Sequence, residues 1–397
     1  MQPESADPEA QAGQREVKAF LDEPAKHQRV KEGWRPYLEA KLGFRNHWYP
    51  AVFAYELNGD EPKAVKLLGE SIILRRVDGQ VYALEDRCAH RRVRLSAKIE
   101  CYTSDTITCW YHGFTYNFAD GKLVQVLTEP GCALVGKMGI KTYPIQEAQG
   151  MVFVFIGDIE PPPLLDDIPP GFLDSDLAVT GIRRDIKGNW RLASENGFDT
   201  THIYIHRDSK VVKATDTILP LGFIPQDRHS MIVVDGPGPK GVVDKLAANY
   251  IPVFESEVGA VKVSATMKPS GKVVAPEVSS WLPCVLKLQA FPTPELFVFE
   301  WYVPIEESNH WYFQVLGKKV GTTEEATAFR SEAHSFWADV MWRGFNDQDI
   351  AAREALEDAY TDGEGWAKER LYRPDTCIIE WRKLASKYNR GIQKSGR

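Results

Sequence analysis

Two short segments, each pairing a cysteine with a histidine, set the strongest constraint on how this chain can fold. One residue separates Cys88 from His90, two separate Cys109 from His112, and eighteen lie between the pairs. If each loop gives one thiolate to a first iron and one imidazole to a second, the four side chains complete a [2Fe-2S] centre with histidines on one iron. Such a centre needs two loops held tip to tip. Strand-like runs at 81–84 and 106–108 precede the pairs, and Gly113 and Gly121 follow, so each pair is expected at a hairpin tip. A structural zinc site would need a Cys-x2-4-Cys knuckle and a closing His-x3-5-His pair, and neither surrounds these loops. A Cys88–Cys109 disulfide fits poorly with a chain that reads as intracellular.

At 397 residues the chain has room for two domains, each with its own core. A hydrophobic share of 43% and a charged share of 26% are those of an ordinary globular protein. The net charge of -7, with no Lys/Arg run interleaved with aromatics, argues against nucleic acid as a partner. No apolar run is long enough to cross a membrane, and the first residues lack the order of a signal peptide. A cytoplasmic location is therefore expected. The other cysteines, Cys101, Cys132, Cys284 and Cys377, have no ligand-spaced neighbour and read as plain buried thiols.

Residues 1–16 are polar, as in a frayed tail. Over 16–42 the apolar Val17, Phe20, Leu21, Val30, Trp34, Tyr37, Leu38 and Leu42 return at helical intervals, and Pro24 divides two short helices. His47 reads as a packed histidine, not a ligand. From 51 to 157, short strands alternate with turn dipeptides such as Asn58-Gly59, Asp78-Gly79 and Asp120-Gly121, the pattern of a small antiparallel β domain. Prolines at 161–163 and 169–170 then predict a stiff, extended linker. Beyond it, 232–234, 261–265, 296–303 and 311–316 read as strands, the last two as an antiparallel pair. Over 322–360 the period turns helical behind a cap at Thr322 to Glu325. The expected class is α+β, in three parts. Residues 1–44 form a tail and helices packing on the catalytic domain, 45–158 the small β domain with the cluster, and 159–397 a catalytic domain whose antiparallel sheet is closed by a long C-terminal helix.

A second metal site is legible at His202 and His206. On a strand their side chains would share a face but stand about 13 Å apart, too far for one ion. On a helix four residues make about one turn, and both imidazoles can chelate a single ion. If they share a metal, the segment is helical. A zinc protease would need Glu directly after the first His, and Ile203 stands there. Two histidines and one carboxylate on one face leave positions open for dioxygen, as in non-haem iron(II) oxygenases. The acidic segment after Gly344 is the best source of the carboxylate, with Asp347, Asp349, Glu354 and Asp358 all candidates.

With these segments in place the chain resembles the terminal oxygenase α subunits of Rieske non-haem iron ring-hydroxylating oxygenases. The likeness runs through Cys88-x-His90-Arg91, Cys109-x2-His112-Gly113, Asn189-Trp190, Glu195-Asn196, Asp199-x2-His202 and the acidic helix near 349. The blocks at 42–50, 202–206, 281–283 and 300–305 resemble the carbazole 1,9a-dioxygenase branch, as does the His-x3-His spacing. The resemblance implies Asp349 as third iron ligand. It gives Asp199 a catalytic role, bridging to a cluster histidine of the neighbouring subunit in a homotrimer; by position, its carboxylate could also orient His202. It implies Gly197, Ile203, Val278, Phe291, Phe345 and Asn346 as pocket residues. Two departures are Arg92, where the family commonly has Gly, and Trp110, often Pro; the first bears on the local turn and cluster exposure.

The implied cofactors are one Rieske [2Fe-2S] cluster and one mononuclear Fe(II). No Gly-x-Gly-x2-Gly follows a strand, so no bound flavin or NAD is expected. Electrons would arrive from a ferredoxin fed by an NAD(P)H-dependent reductase, and Arg87, Arg91, Arg92, Arg94 and Lys98 offer a basic docking face. The expected reaction is dioxygen-dependent (di)hydroxylation of a fused or nitrogen-containing aromatic. The same metals would serve a monooxygenase or oxidative dealkylase. A non-catalytic iron-sulfur electron carrier, or a colourless zinc-stabilised module, would lack iron at His202 and His206.

Overall fold

Asp78 and Gly79 take left-handed backbone angles, φ 49° and 84°, as a two-residue hairpin of the primed type requires. They join the strands Glu70–Val77 and Gln80–Glu85, with Val77 facing Gln80 across the turn. The rest of the first half follows the same logic of short strands and tight turns. The computed structural model describes residues 32–199, 201–206, 209–215, 217–218, 231–244, 255–258, 261–264, 272–273 and 277–394. The expected tail and the helical positions Val17, Phe20, Leu21 and Val30 lie outside the described residues. Of the expected N-terminal helices, the described part is Arg35–Glu39.

Three small antiparallel sheets make up the first half. His47–Phe53, Met151–Ile156 and Ile145–Ala148 form one, and Lys63–Leu67, Glu70–Val77 and Gln80–Glu85 the second. The third, Ile99–Glu100, Thr106–Cys109, Phe114–Asn117 and Leu123–Val126, encloses its own apolar cluster, to which both Cys88 and Cys109 belong. The proline linker differs from a free extended spacer. It contains a 3-10 turn, Leu164–Asp167, and is drawn into the core. The Trp48 indole donates to the Pro162 carbonyl at 2.8 Å, and Asp167, with no exposed surface, accepts from the Trp48 amide at 2.9 Å. His47 is indeed packed, its Nδ1 2.7 Å from Asp167 Oδ1.

The second half is built on a seven-stranded antiparallel sheet, in the order Leu177–Lys187, Asn309–Lys319, Leu296–Glu306, Val285–Gln289, Glu277–Trp281, Gly241–Asp244, Met231–Val234. Leu296–Glu306 and Asn309–Lys319 are the expected antiparallel pair. Thr322 caps Thr323–Glu332, its hydroxyl accepting from the Glu325 amide at 3.2 Å. The helical stretch is not one long closing helix: a π-helical segment, Ala333–Arg343, intervenes before Asn346–Tyr360, and a further helix, Thr376–Tyr388, covers the Gly241–Asp244 end of the sheet. That last helix was not anticipated, because its period is mixed with buried charge. Cys132, Cys284 and Cys377 are buried thiols outside any disulfide, whereas Cys101 is half-buried.

Helix Trp190–Phe198 is buried along its whole length, including Arg191 and Glu195. Asn189 caps it, accepting from the Arg191 amide at 3.0 Å. Glu195 takes two bonds from Arg382, at 2.8 and 2.7 Å, and Arg382 also binds Glu369 while lying between the Trp34 and Trp366 rings. Removing one partner from such a group leaves buried charge uncompensated, which costs about 3–5 kcal/mol. Arg382→Ala is therefore expected to lower the denaturation midpoint sharply or to abolish recovery of folded protein. An unchanged midpoint would show that this triad does not hold the helix.

Candidate metal centres

The first centre lies at the end of the smaller half. Cys88 and Cys109 are each 1% exposed, whereas His90 is exposed and His112 half-buried. The imidazole rings stand 4.8 Å apart, and His90 stacks on Phe114 at 4.7 Å. Burial, joined by contact with Cys88, pushes the Cys109 thiol above its ordinary value. Two buried sulfurs and two outer imidazoles from two loops fit a two-iron cluster with its histidine iron towards the surface.

Only the second pair sits at the tip of a hairpin, since Thr106–Cys109 pairs with Phe114–Asn117. The first occupies a crossing loop, because Gln80–Glu85 pairs back to Glu70–Val77 and the chain then enters the other sheet. Arg92 keeps the turn that Gly would favour, adopting φ 62°, and its guanidinium pairs with Glu85 through two bonds. Lys98 pairs with Glu100 at 2.7 Å, so two charges of the expected basic face are answered within the chain. Tyr116, not anticipated from sequence, accepts from the Ala89 amide at 3.1 Å and places its hydroxyl 3.2 Å from Cys88 Sγ.

The second centre joins His202, His206 and Asp349, whose ligand atoms all lie within 4.8 Å of one another. His202–His206 is a 3-10 helix, tighter than the α-turn considered above but still helical, with the rings 5.3 Å apart. Asp349 lies in the first turn of Asn346–Tyr360 and is 3% exposed. Its Oδ1 is 3.3 Å from His202 Nε2 and 3.2 Å from His206 Nε2. Of the alternatives, Asp347 is exposed and pairs with Arg184 at 2.6 Å, and Glu354 and Asp358 face outward.

Each imidazole is oriented from behind. His202 Nδ1 donates to the Asp199 carbonyl, and His206 Nδ1 lies 2.9 Å from Gln348 Oε1. With Nδ1–H committed, each Nε2 presents a lone pair to the same point, the tautomer that a cation requires. Burial works against charge here. Even so, Asp349 holds the His202 pKa above the ordinary imidazole value, and His206, His202 and Arg353 hold Asp349 well below the usual carboxylate range. Two imidazoles and one carboxylate converging in this way suit a divalent cation.

The expected bond between the Asp199 carboxylate and His202 is not formed. Asp199 Oδ1 accepts from the amide and hydroxyl of Thr201, each at 2.8 Å, because Asp199 ends the helix as its C-cap and only its carbonyl points on to His202.

The six expected pocket residues divide. Phe345 stacks on His206 at 3.6 Å and touches Phe291, and Ile203 packs on the same apolar cluster. Val278 lies in the other core cluster. Gly197 is where the helix meets the sheet: a Cβ would come within 2.2 Å of the Tyr302 hydroxyl. Asn346 donates to Glu300 at 2.8 Å and to the Tyr312 hydroxyl at 2.7 Å, leaving its own oxygen unpartnered. Arg353, between the Tyr302 and Tyr312 rings, supports this layer and bonds Asn196 at 2.6 Å.

Residues 47–144 match the family model of the Rieske [2Fe-2S] domain, and residues 155–393 that of the homotrimeric ring hydroxylases. The chain belongs to the Rieske ring-hydroxylating oxygenases, as a terminal oxygenase component. It is 50% identical, over 95% of its length and 100% of the relative's, to the terminal oxygenase component of carbazole 1,9a-dioxygenase from Sphingomonas sp. The solved terminal oxygenase of carbazole 1,9a-dioxygenase from Novosphingobium sp. KA1 superposes with a TM-score of 0.89 at 49% identity, covering 92% of this chain and 99% of that one. A carbazole-bound variant oxygenase in complex with its ferredoxin superposes at 0.88, with 50% identity and coverage of 92% and 95%.

Two measurements follow. Tyr116→Phe removes a hydrogen bond to a cysteine sulfur, and such bonds favour the reduced cluster. The variant's reduction potential, read by spectroelectrochemical titration, is expected to fall, and an unchanged potential would show that the hydroxyl does not act on the cluster. Gln348→Leu leaves His206 Nδ1 without its acceptor. Iron affinity at the second centre is expected to drop by about 10–100-fold, measured as mononuclear iron retained against a chelator with the cluster spectrum as internal control.

Proposed function

We propose that this protein is the oxygenase of a multicomponent system that inserts dioxygen into a fused or nitrogen-containing aromatic such as carbazole. It takes electrons from a ferredoxin that a separate NAD(P)H-dependent reductase supplies. One observation carries the reading: a His202, His206 and Asp349 set sits within 4.8 Å beside an apolar cluster, in a chain whose other half holds a two-cysteine, two-histidine centre. A ferrous ion bound by two histidines and one carboxylate supplies open positions at which dioxygen can be reduced.

The chain's own residues do the rest. Asp199 and Gln348 fix the two imidazoles by their Nδ1 atoms. Phe345, Phe291 and Ile203 keep water from the face of His206 and give an aromatic ring an apolar wall. Asn346 offers an unpartnered amide oxygen at the edge of that wall, and Gly197, on the buried helix, and Val278, on the sheet, are assigned to the remainder of the lining. Asp199, at the surface end of its helix, is assigned the bridge to a cluster histidine of a neighbouring subunit in a homotrimer. Division at 45–158 and 159–397 separates the electron-accepting part from the oxygenating part, and the cytoplasm, where a ferredoxin is available, is the proposed location. Among the described residues, no helix is long and apolar enough to cross a membrane.

Removing a ligand tests this directly. His206→Ala should keep the visible spectrum of the cluster while product formation from carbazole under labelled dioxygen falls by more than about a hundredfold, beyond the loss of an outer partner. A variant that keeps both the spectrum and the product would end the oxygenase reading.

A further inference from the structure

The seven-stranded sheet turns one face towards the helices that carry the second centre. Gly197 approaches Leu286 and Tyr302 there, and Asn346 bonds Glu300 there. Paired residues on antiparallel strands point to the same side, and alternate residues along a strand share a face. Leu288, two residues from Leu286, therefore shares this face. It pairs with Val298 on one side and Val278 on the other, and Val278 pairs with Asp244. Val298, Leu288, Val278 and Asp244 thus form one row. Val298 belongs to the apolar cluster of Phe291 and Phe345, and Leu288 packs against it. The row starts beside the aromatic wall of the iron site, reaches a carboxylate at Asp244 and passes on to Met231 of the edge strand.

That carboxylate stands apart from the other buried acids of this half. Asp244 is 0% exposed, and neither of its oxygens has a hydrogen-bond partner. Burial alone acts on it, pushing its pKa up to about 7. Glu300 is bonded by Asn346 and Tyr302, Glu195 and Glu369 by Arg382, and Asp167 by the Trp48 amide and Arg390. Of helix Thr376–Tyr388, which packs over the Asp244 strand, Arg382 is directed to Glu195, Lys383 to Glu380 and Tyr388 to Asp235, while the buried Trp381 indole N–H is, like Asp244, unpartnered. An acceptor left unmet in an interior that satisfies its other acids is a local conflict of the kind that marks functional positions.

We propose that Asp244 is a substrate-positioning residue: it accepts a hydrogen bond from an N–H or O–H donor carried by a fused aromatic, at the end of the frame remote from His202, His206 and Asp349. The assignment rests on the aromatic-substrate reading above. It makes the pocket bipolar, with the attacked ring against Phe345 and a donor group anchored at the Gly241–Asp244 strand. Sites that hydrogen-bond a substrate donor reject the analogue lacking it, because the buried acceptor is then left unpaired.

The test uses the full chain and equilibrium binding of three probes: fluorene, which has no donor, carbazole, with a bridging N–H, and 2-hydroxyfluorene, with a terminal O–H. Asp244→Leu is expected to weaken at least one donor-bearing probe by about tenfold while fluorene binds as before. Asp244→Asn, which keeps a carbonyl acceptor, should restore that binding. The melting temperature of Asp244→Leu should hold or rise, since no native bond is lost. A uniform change across the three probes, no change at all, or a fall in melting temperature overturns the inference. If the unaltered protein binds none of the probes, the aromatic-substrate reading fails first and the inference falls with it.

Discussion

Two imidazoles and a carboxylate can share one ion only if their backbones are held rigidly, because each ligand atom must meet the others within a few ångström in a place that excludes water. In this protein that requirement fixes the order of the whole second half. The tight turn His202–His206 is presented by a fully buried helix, Trp190–Phe198, and Asp349 by a second helix laid across the sheet. Both helices are tied by buried arginines as well as by apolar packing. Arg382 secures the first from Thr376–Tyr388 through Glu195, and Arg353 secures the second between two tyrosine rings. Buried arginine suits this work, since its planar fork bonds carboxylates and stacks on aromatics at once.

The cluster site is built by contrast on strands and turns. Its sulfurs are buried and its imidazoles face outward, so charge enters at the surface while the cysteines keep a dry, low-dielectric lining. Arg92 shows how a local rule can be broken at small cost. A non-glycine residue in the left-handed region is strained by about 1–2 kcal/mol, and here the strain is offset by a two-bond pairing with Glu85 and a turn closed by the Cys88 carbonyl.

Much of this was legible in the residues, and what was not has a common cause. Ligand spacing is local, so Cys88, His90, Cys109 and His112 declared themselves, as did the helical four-residue step from His202 to His206. Turn chemistry at Asp78-Gly79 and the cap at Thr322 are equally local. Asp349 was one of four acids until the resemblance singled it out, because only burial separates it from Asp347, two positions away. Gln348 and Tyr116 were missed: one serves a histidine 142 residues distant and the other a cysteine 28 distant, with no periodic signal linking them. The Asp199 carboxylate was expected on His202. A helix ends there, and end geometry turns the side chain one way and the carbonyl the other.

The junction around Asp167 bears on how the protein is made. His47, on the first strand of the cluster half, meets Asp167 in the linker and then the Arg390 amide, a residue 343 positions later in the chain. The Arg45 amide likewise bonds the Gly391 carbonyl at 2.8 Å. During vectorial synthesis the amino-terminal half cannot complete this seam until nearly everything downstream has left the ribosome. The cluster sheet closes on its own apolar residues, apart from this seam, so the step that must wait for residues 390 and 391 is the joining of the two halves.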